Sequence, residues 1–565
     1  LLPGRQSRLA ADGTLAHRGW LLLYFLGSYG LWSAIANKDP RYIAPYLPAV
    51  AIFLAWGLAC WWRRWPWVSL ATLGFSILVT LLNLFPIGLA SGTWLASTLA
   101  PRAQWHPYQG TPYPHVDIID YVAQARPYQL STLGGIKSTA AVNQHNISYY
   151  GKLQNYQVYG RQVGNRSSMV DTDLRSLSWF YAQRAAGTPW PPTEAEDTGA
   201  ELVRQLEQSP EFTRDRTWEL PNQAELYLYR REQFPTTVTA LPDTACTADT
   251  ALPRLSRVEI PPSIVPGQAT PITYEWVGRW QALQSGIPLL TWEPDGTPET
   301  IVADTPPWIH DHGIGLGTLR PHPFQANQTI LSSAQDINPE GCFQVTERTA
   351  TLPPSALTTG QYRLVGSYLN VSQETLTPMS VPATVVSLVP ANENPPPAAG
   401  SMIELDWVTQ LREAGQLLSQ GPDFLDEIFD PIGRINMYDP IQNYTVQAET
   451  SLQQRWQANP DYLNYGYSLV LSQILQLKVD AAIASLEQLV EQDADNPYAR
   501  AYLGFVNLYA LRPRAAQTAL RPAIAMAPDS PEIRGLSAIA ALFQGNLWDA
   551  WQQGRAAIAL ANTGD

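Results

Sequence analysis

Asn37-Lys38-Asp39-Pro40-Arg41-Tyr42 is a charged hexapeptide set between uncharged apolar stretches, and what flanks it decides the architecture. Three apolar segments run over Gly19–Ala36, Ile43–Trp62 and Trp65–Ile87, with no Asp, Glu, Lys or Arg inside any of them. At about 1.5 Å rise per residue, each is long enough for a hydrocarbon core of roughly 30 Å. A secretory signal would offer one short apolar region and a small-residue cleavage site, a poor description of three consecutive segments. Trp20, Tyr24, Trp61, Trp62, Trp65 and Trp67 stand where interfacial aromatic belts are expected. The expectation is a multidomain integral membrane protein entered through transmembrane α-helices.

Orientation follows from the basic residues. Arg5, Arg8 and Arg18 precede the first segment, and Arg63-Arg64 form the only charged turn between the second and third. The excess of Arg on the cytoplasmic side of a membrane assigns both patches there. The Lys38–Tyr42 loop and everything after about Gly88 then lie on the opposite face, so most of the chain is expected to be extracytoplasmic. Residue 1 is Leu, and the first segment lacks the usual run-up of a membrane-protein N-terminus, which suggests the later part of a longer gene product.

The 565 residues are 45% hydrophobic with a formal charge of −13, which predicts several folded domains and argues against nucleic acid as a partner. The membrane region is assigned to 1–89. Residues 90–234 read as an α/β domain, with strand-like runs at Tyr128–Gly134, Gln157–Gly164, Leu177–Gln183 and Ala224–Arg230. Helix-like runs at Asn146–Leu153 and Glu194–Glu207 lie between them, and Gly134-Gly135 reads as a turn. Residues 235–389 carry short alternating runs broken by Pro and Gly, the pattern of a β-sandwich. Cys246 and Cys342 both fall there and are disulfide candidates in an oxidising compartment, with two free thiols as the alternative; Cys60 reads as an apolar filler of the second segment. Residues 390–401 are a Pro-rich linker.

The helical domain, 402–565, contains a 34-residue repeat from residue 463, in blocks beginning at Leu463, Pro497 and Pro531. Ala482, Ala516 and Ala550 share one column, Gly504 and Ala538 another, Ala523 and Ala557 a third, with Leu489 and Val470 as departures. The columns resemble those of tetratricopeptide (TPR) repeats, in which small side chains let paired helices approach, and stacked repeats commonly bind protein partners.

Lys38 and Arg41 are placed to hold a lipid-linked phosphate at the outer membrane boundary, with Pro40, Pro45 and Pro48 fixing the backbone around Tyr42. Anchoring in the headgroup layer is the bland alternative. The sequence Lys-Asp-Pro-Arg-Tyr-Ile-Ala-Pro-Tyr-Leu-Pro between apolar segments resembles the late membrane region of the GT-C glycosyltransferases, in the group of dolichyl-phosphate-mannose protein mannosyltransferases and bacterial aminoarabinose transferases. Arg41, Tyr42, Pro45 and Pro48 are the matching positions. The stretch from Val142-Asn143-Gln144-His145-Asn146 through Tyr149-Tyr150 to Val158–Gly164 is similar to the extracytoplasmic domain of bacterial members, and the resemblance covers about 15–232.

That resemblance implies transfer of a sugar from a polyprenyl-phosphate donor to a glycan, lipid or protein acceptor. It also implies a catalytic carboxylate in the family's first outer loop. Asp39, flanked by Lys38 and Arg41, is held ionised and weakly basic by those cations, so no catalytic residue is assigned in this chain. No cofactor is expected within the chain beyond the donor substrate. The competing expectation is a non-catalytic membrane-anchored scaffold that binds glycan through the sandwich and protein through the repeats.

Other motifs carry little. His310-Asp311-His312 lacks a third ligand at recognisable spacing, so no metal site is assigned and a divalent metal has no sequence support. Gly313-Ile314-Gly315-Leu316-Gly317 reads as a loop, since Pro321 follows where a dinucleotide-binding helix would start. His145 and Asn146 are candidates for touching a glycan, though Asn146 is expected to cap the helix there. Trp276, Trp280, Trp292 and Trp308 are either a sugar-binding surface or sandwich core.

Overall fold

The computed structural model describes residues 19–33, 44–84, 98, 110–153, 155–192, 197–246, 252–295, 307–321, 337–371, 373, 375–390 and 403–562. It divides into two compact units, Leu1–Thr111 and Pro112–Asp565.

In the first unit, α1 covers 19–33, α2 Leu47–Trp62 and α3 Pro66–Leu84. These runs carry no charge, and an α-helix satisfies their backbone groups internally, the condition that hydrocarbon surroundings impose. The Ser69 hydroxyl of α3 donates to the Leu58 carbonyl of α2 at 3.0 Å, and Tyr24 on α1 donates to the Pro45 carbonyl at 2.8 Å. Large apolar side chains face outward, including Trp20, Leu54 and Trp67. Three spanning segments are expected from the sequence. Among the described residues one helix, Ala44–Trp62, is long and apolar enough to cross a membrane, and Pro66–Leu82 is a shorter apolar helix. The remainders of the first and third segments, together with Lys38, Asp39, Arg41 and Tyr42, lie outside the described residues.

The second unit begins with a five-stranded sheet. Its elements are α4 (His115–Ala125), β1 (Ser131–Ile136), α5 (Gln144–Leu153), β2 (Val158–Val163), α6 (Val170–Ser176), β3 (Trp179–Arg184), α7 (Thr198–Gln208), β4 (Phe212–Glu219) and β5 (Glu225–Arg231). The strand order is β2-β1-β3-β5-β4, with β1 parallel to β2 and β3, and β5 antiparallel to β3 and β4. Ile118, Val122 and Ile147 of α4 and α5 pack with Leu133, Trp179 and Tyr181. Leu174, Leu202 and Leu206 of α6 and α7 pack with Ile136, Phe180 and Tyr229, so helices cover both faces.

Two local expectations are corrected here. Gly134 and Gly135 sit inside β1, because the Phe180 and Tyr181 side chains of β3 cross directly over them. A Cβ on Gly134 would lie 2.9 Å from Phe180 Cδ1. The α5 cap is Asn143, whose Oδ1 accepts from the His145 and Asn146 N–H groups at 3.0 Å each, while Asn146 donates to the Ala141 carbonyl.

The chain continues through β6 (Thr236–Leu241), β7 (Arg254–Glu259), β8 (Ser263–Ile264), β9 (Thr270–Arg279), α8 (Trp280–Ser285), β10 (Gly286–Pro294), β11 (Trp308–Ile309), β12 (Cys342–Thr351), β13 (Gly360–Asn370), β14 (Thr375–Met379) and β15 (Val385–Leu388). They form one sheet ordered β11-β10-β13-β15-β8, with β14 on β13, and another ordered β6-β12-β9-β7. In β9 buried and part-exposed residues alternate strictly, as a half-covered sandwich strand requires. Trp276, Trp280, Trp292 and Trp308 are core, which removes them as a sugar-binding surface. Cys246 and Cys342 are joined as a disulfide closing 96 residues of sequence separation.

From residue 403 the unit is helical, with α9 (Trp407–Gln416), α10 (Leu425–Tyr438), α11 (Asn443–Ala458), α12 (Leu463–Leu475), α13 (Val479–Gln492), α14 (Pro497–Tyr509), α15 (Pro513–Met526), α16 (Pro531–Phe543) and α17 (Leu547–Ala561). The three 34-residue blocks are the helix pairs α12/α13, α14/α15 and α16/α17, a TPR-like array. Leu477, Leu511 and Gly545 stand at the same turn position of each pair with φ of 57°, 56° and 76°. Ala482 and Ala516 are fully buried, and a Cβ on Gly504 would meet Leu520 Cγ at 2.6 Å, which is why those columns stay small. Most of the linker assigned to 390–401 lies outside the described residues.

Candidate functional site

A fully buried polar knot lies where the sandwich meets the helical region. β11 pairs with β10, and the His310 N–H donates to the Leu290 carbonyl at 3.0 Å, so the segment after β11 enters the junction directly. His310, Asp311 and His312 are all buried there. The inward phase of β12 delivers Glu347, and the neighbouring β9 delivers Tyr274 and Trp276. Asp406, which caps α9 by accepting from the Thr409 N–H at 2.9 Å, closes the other side.

Each ring nitrogen but one is engaged. His310 Nδ1 lies 2.8 Å from the Tyr274 hydroxyl and its Nε2 lies 3.2 Å from Asp406 Oδ2. His312 Nε2 lies 2.9 Å from Glu347 Oε1, which also accepts from Trp276 Nε1 at 2.6 Å. The other Glu347 oxygen accepts from the Gly315 N–H at 2.6 Å. His312 Nδ1 is buried and has no hydrogen-bond partner among the described residues. One ligand atom each from His310, His312 and Asp406 lies within 4.8 Å of the others. The sequence offers His-x-His without a third ligand; the fold brings that ligand from about a hundred residues downstream.

Asp311 turns away from this set. It accepts two hydrogen bonds from Arg455 of α11, at 2.8 and 2.6 Å, and one from the Leu290 N–H at 3.1 Å. Arg455 also donates to Thr291 Oγ1 and the Leu290 carbonyl, so this pair ties α11 to β10 and fixes the segment carrying both histidines.

Electrostatics follow from burial and partners. Burial lowers the His310 pKa. Burial alone would lower that of His312 too, but Glu347 outweighs it and pushes the imidazole up to about 9. The His310 carbonyl adds to this without meeting hydrogen-bond geometry at the ring. Burial acts to raise the Asp406 pKa, and the bond to His310 together with the charges of the His310 and His312 imidazoles overrides that and holds it well below the usual range.

Beside the knot is a cavity of about 400 Å³, lined by Tyr159, Arg126 and Arg231 from the α/β region, Arg348 and Thr318 from the sandwich, and Glu404, Asp406 and Trp407 from the helical region. Arg126 donates to Gln129 Oε1 and the Thr236 carbonyl, and burial lowers its pKa to about 10. Arg231 is paired with Glu211 at 2.6 Å, and Arg175 with Glu404 at 2.7 Å. The mixed guanidinium, carboxylate and aromatic lining suits a polar ligand with flat apolar faces, such as a sugar or a nucleotide-like anion. Asp406 and Trp407 also line a smaller void of about 10 Å³ that touches His312.

Sequence-predicted candidates are distributed unevenly. Lys38, Arg41 and Tyr42 fall outside the described residues, His145 is exposed on α5, and Gly313–Gly317 is the predicted loop, with Gly315 and Gly317 in the left-handed region. Glu347 left a sequence signal, a charged residue in the apolar phase of Phe343-x-Val345-x-Glu347. Asp406 left none beyond a helix start.

No protein-family profile matches the chain, and no curated protein does. Solved structures similar to it include MamA MSR-1, at 16% identity and a TM-score of 0.21 over 28% of this chain and 98% of that one. Another is TTC0263, a thermophilic TPR protein in Thermus thermophilus, at 20% identity and a TM-score of 0.21 over 27% of this chain and 91% of that one.

Proposed function

We propose that the chain supplies the late membrane region and the extracytoplasmic domains of a polyprenyl-phosphate-dependent glycosyltransferase, which moves a sugar onto an envelope glycan, lipid or protein. The observation that supports this is the helical stretch Ala44–Trp62: uncharged, of membrane-crossing length, its large side chains facing outward, following Arg41-Tyr42 in the sequence. In this reading Lys38, Arg41 and Tyr42 hold the donor phosphate at the outer face, through charge-assisted bonds that a planar guanidinium makes well. No residue of the chain is assigned the catalytic carboxylate. The folded unit after Pro112 then presents the acceptor, with membrane lipids around the helices and a protein partner on the TPR-like pairs.

The test is release of polyprenyl phosphate from a labelled polyprenyl-phosphate sugar by the detergent-purified gene product. Arg41→Ala is expected to lower release by about tenfold or more, the equivalent of one charge-assisted hydrogen bond. Absence of release from the unsubstituted protein would end the transferase reading.

A membrane-anchored scaffold is the second reading. It is favoured by the 400 Å³ polar-aromatic cavity and by the repeat array, whose Leu511, Trp548 and Trp551 are exposed. Glycan binding by the unit after Pro112 without donor turnover would support it.

A further inference from the structure

We infer that His310, His312 and Asp406 form a buried binding site for one divalent transition metal, zinc being the ion whose ligand preferences they match best. The inference is independent of the transferase reading. Two imidazoles and a carboxylate converge from β11 and the start of α9, with ligand atoms within 4.8 Å of one another. Such a nitrogen–nitrogen–oxygen set is the donor chemistry of zinc and its late first-row neighbours.

The surroundings are those a metal site needs. Glu347 Oε1 engages His312 Nε2 at 2.9 Å and so leaves Nδ1 as the ring nitrogen available to a metal; that Nδ1 has no hydrogen-bond partner among the described residues. The Tyr274 hydroxyl occupies His310 Nδ1 and so directs Nε2 toward Asp406. A buried nitrogen without a partner is costly, and a metal bond removes that cost.

Charge points the same way. Asp311 is neutralised by Arg455, and Arg412 by Glu413, so neither pair is available to the cluster. Glu347 and Asp406 remain, two fully buried carboxylates facing two imidazoles. A bound dication compensates both. The adjoining 10 Å³ void, touching His312 and Asp406 and sharing Trp407 with the larger cavity, has room for about one water as a further ligand.

The experiment uses the full chain in detergent. Elemental analysis of protein purified without chelator is expected to give close to one zinc, or another late divalent ion, per chain. After stripping with chelator, the melting temperature should fall, recover with added Zn²⁺, and titration with Co²⁺ should develop the intense visible bands of a low-coordinate site. Asp406→Ala and His312→Ala should lose the ion, whereas His145→Ala, on the exposed face of α5, should keep it. Stripped wild-type protein that takes up neither Zn²⁺ nor Co²⁺, with an unchanged melting temperature, overturns the inference even if the variants misfold. Stoichiometric metal retained by both folded variants overturns it as well, since the ion then sits elsewhere.

Discussion

Replacing Arg455 by Met tests whether the junction between sandwich and helical region is held by one buried ion pair. The guanidinium makes two bonds to Asp311, at 2.6 and 2.8 Å, and two more to Thr291 Oγ1 and the Leu290 carbonyl. Asp311 is 2% exposed, so removing its partner leaves an ionised carboxylate supported by the Leu290 N–H alone. Truncating one member of such a pair costs about 3–5 kcal/mol, most of it the penalty of the orphaned charge. Met keeps the aliphatic stem and part of the packing, so the loss is assigned to the charge and its bonds. Urea denaturation followed by tryptophan fluorescence reads it directly, because Trp292 and Trp308 lie in the core beside the junction. The double variant Asp311→Asn with Arg455→Met should recover a good part of the loss, since no buried charge remains. A single variant within about 1 kcal/mol of wild type, or a double variant as unstable as the two singles added together, would refute the argument.

Removing the Cys246–Cys342 link with serines frees a loop of 96 residues and should lower stability by about 4 kcal/mol, checked by denaturation with and without reductant. Leu511 is exposed in the left-handed region at the turn position where the third repeat has Gly545, so Leu511→Gly should raise stability by about 1 kcal/mol, visible as a higher melting temperature. His115, stacked on Tyr150 and bonded to the Ala141 carbonyl, has a pKa lowered from 6.5 chiefly by burial. The unfolded chain therefore binds its proton first. Stability contributed above pH 6.5 should decline as pH falls below that value, and His115→Phe should flatten this part of the profile in a pH series of melting temperatures.

Local periodicity was enough for much of the architecture. Uncharged runs announced helices α1 to α3, and short alternating runs broken by Pro and Gly announced a β-rich region over 235–389. Small residues recurring every 34 positions announced the helix pairs from Leu463 onward, because close helix packing constrains the same positions in each pair. Spacing could not show that Gly134-Gly135 continues a strand, since the reason is a pair of aromatic rings on β3. Nor could it decide whether four tryptophans were surface or core, which depends on a second sheet covering them.

The candidate metal site shows where the division falls. Sequence by itself placed the apolar helices, the repeat pairs and two of the three candidate ligands, His310 and His312, because residues two apart on an extended segment share a locality. Only the tertiary structure decided that Asp406 completes the set, that Glu347 orients His312, and that Arg455 draws Asp311 away. Those partners come from three separate elements, and burial, which makes their charges matter, exists only once the elements have packed.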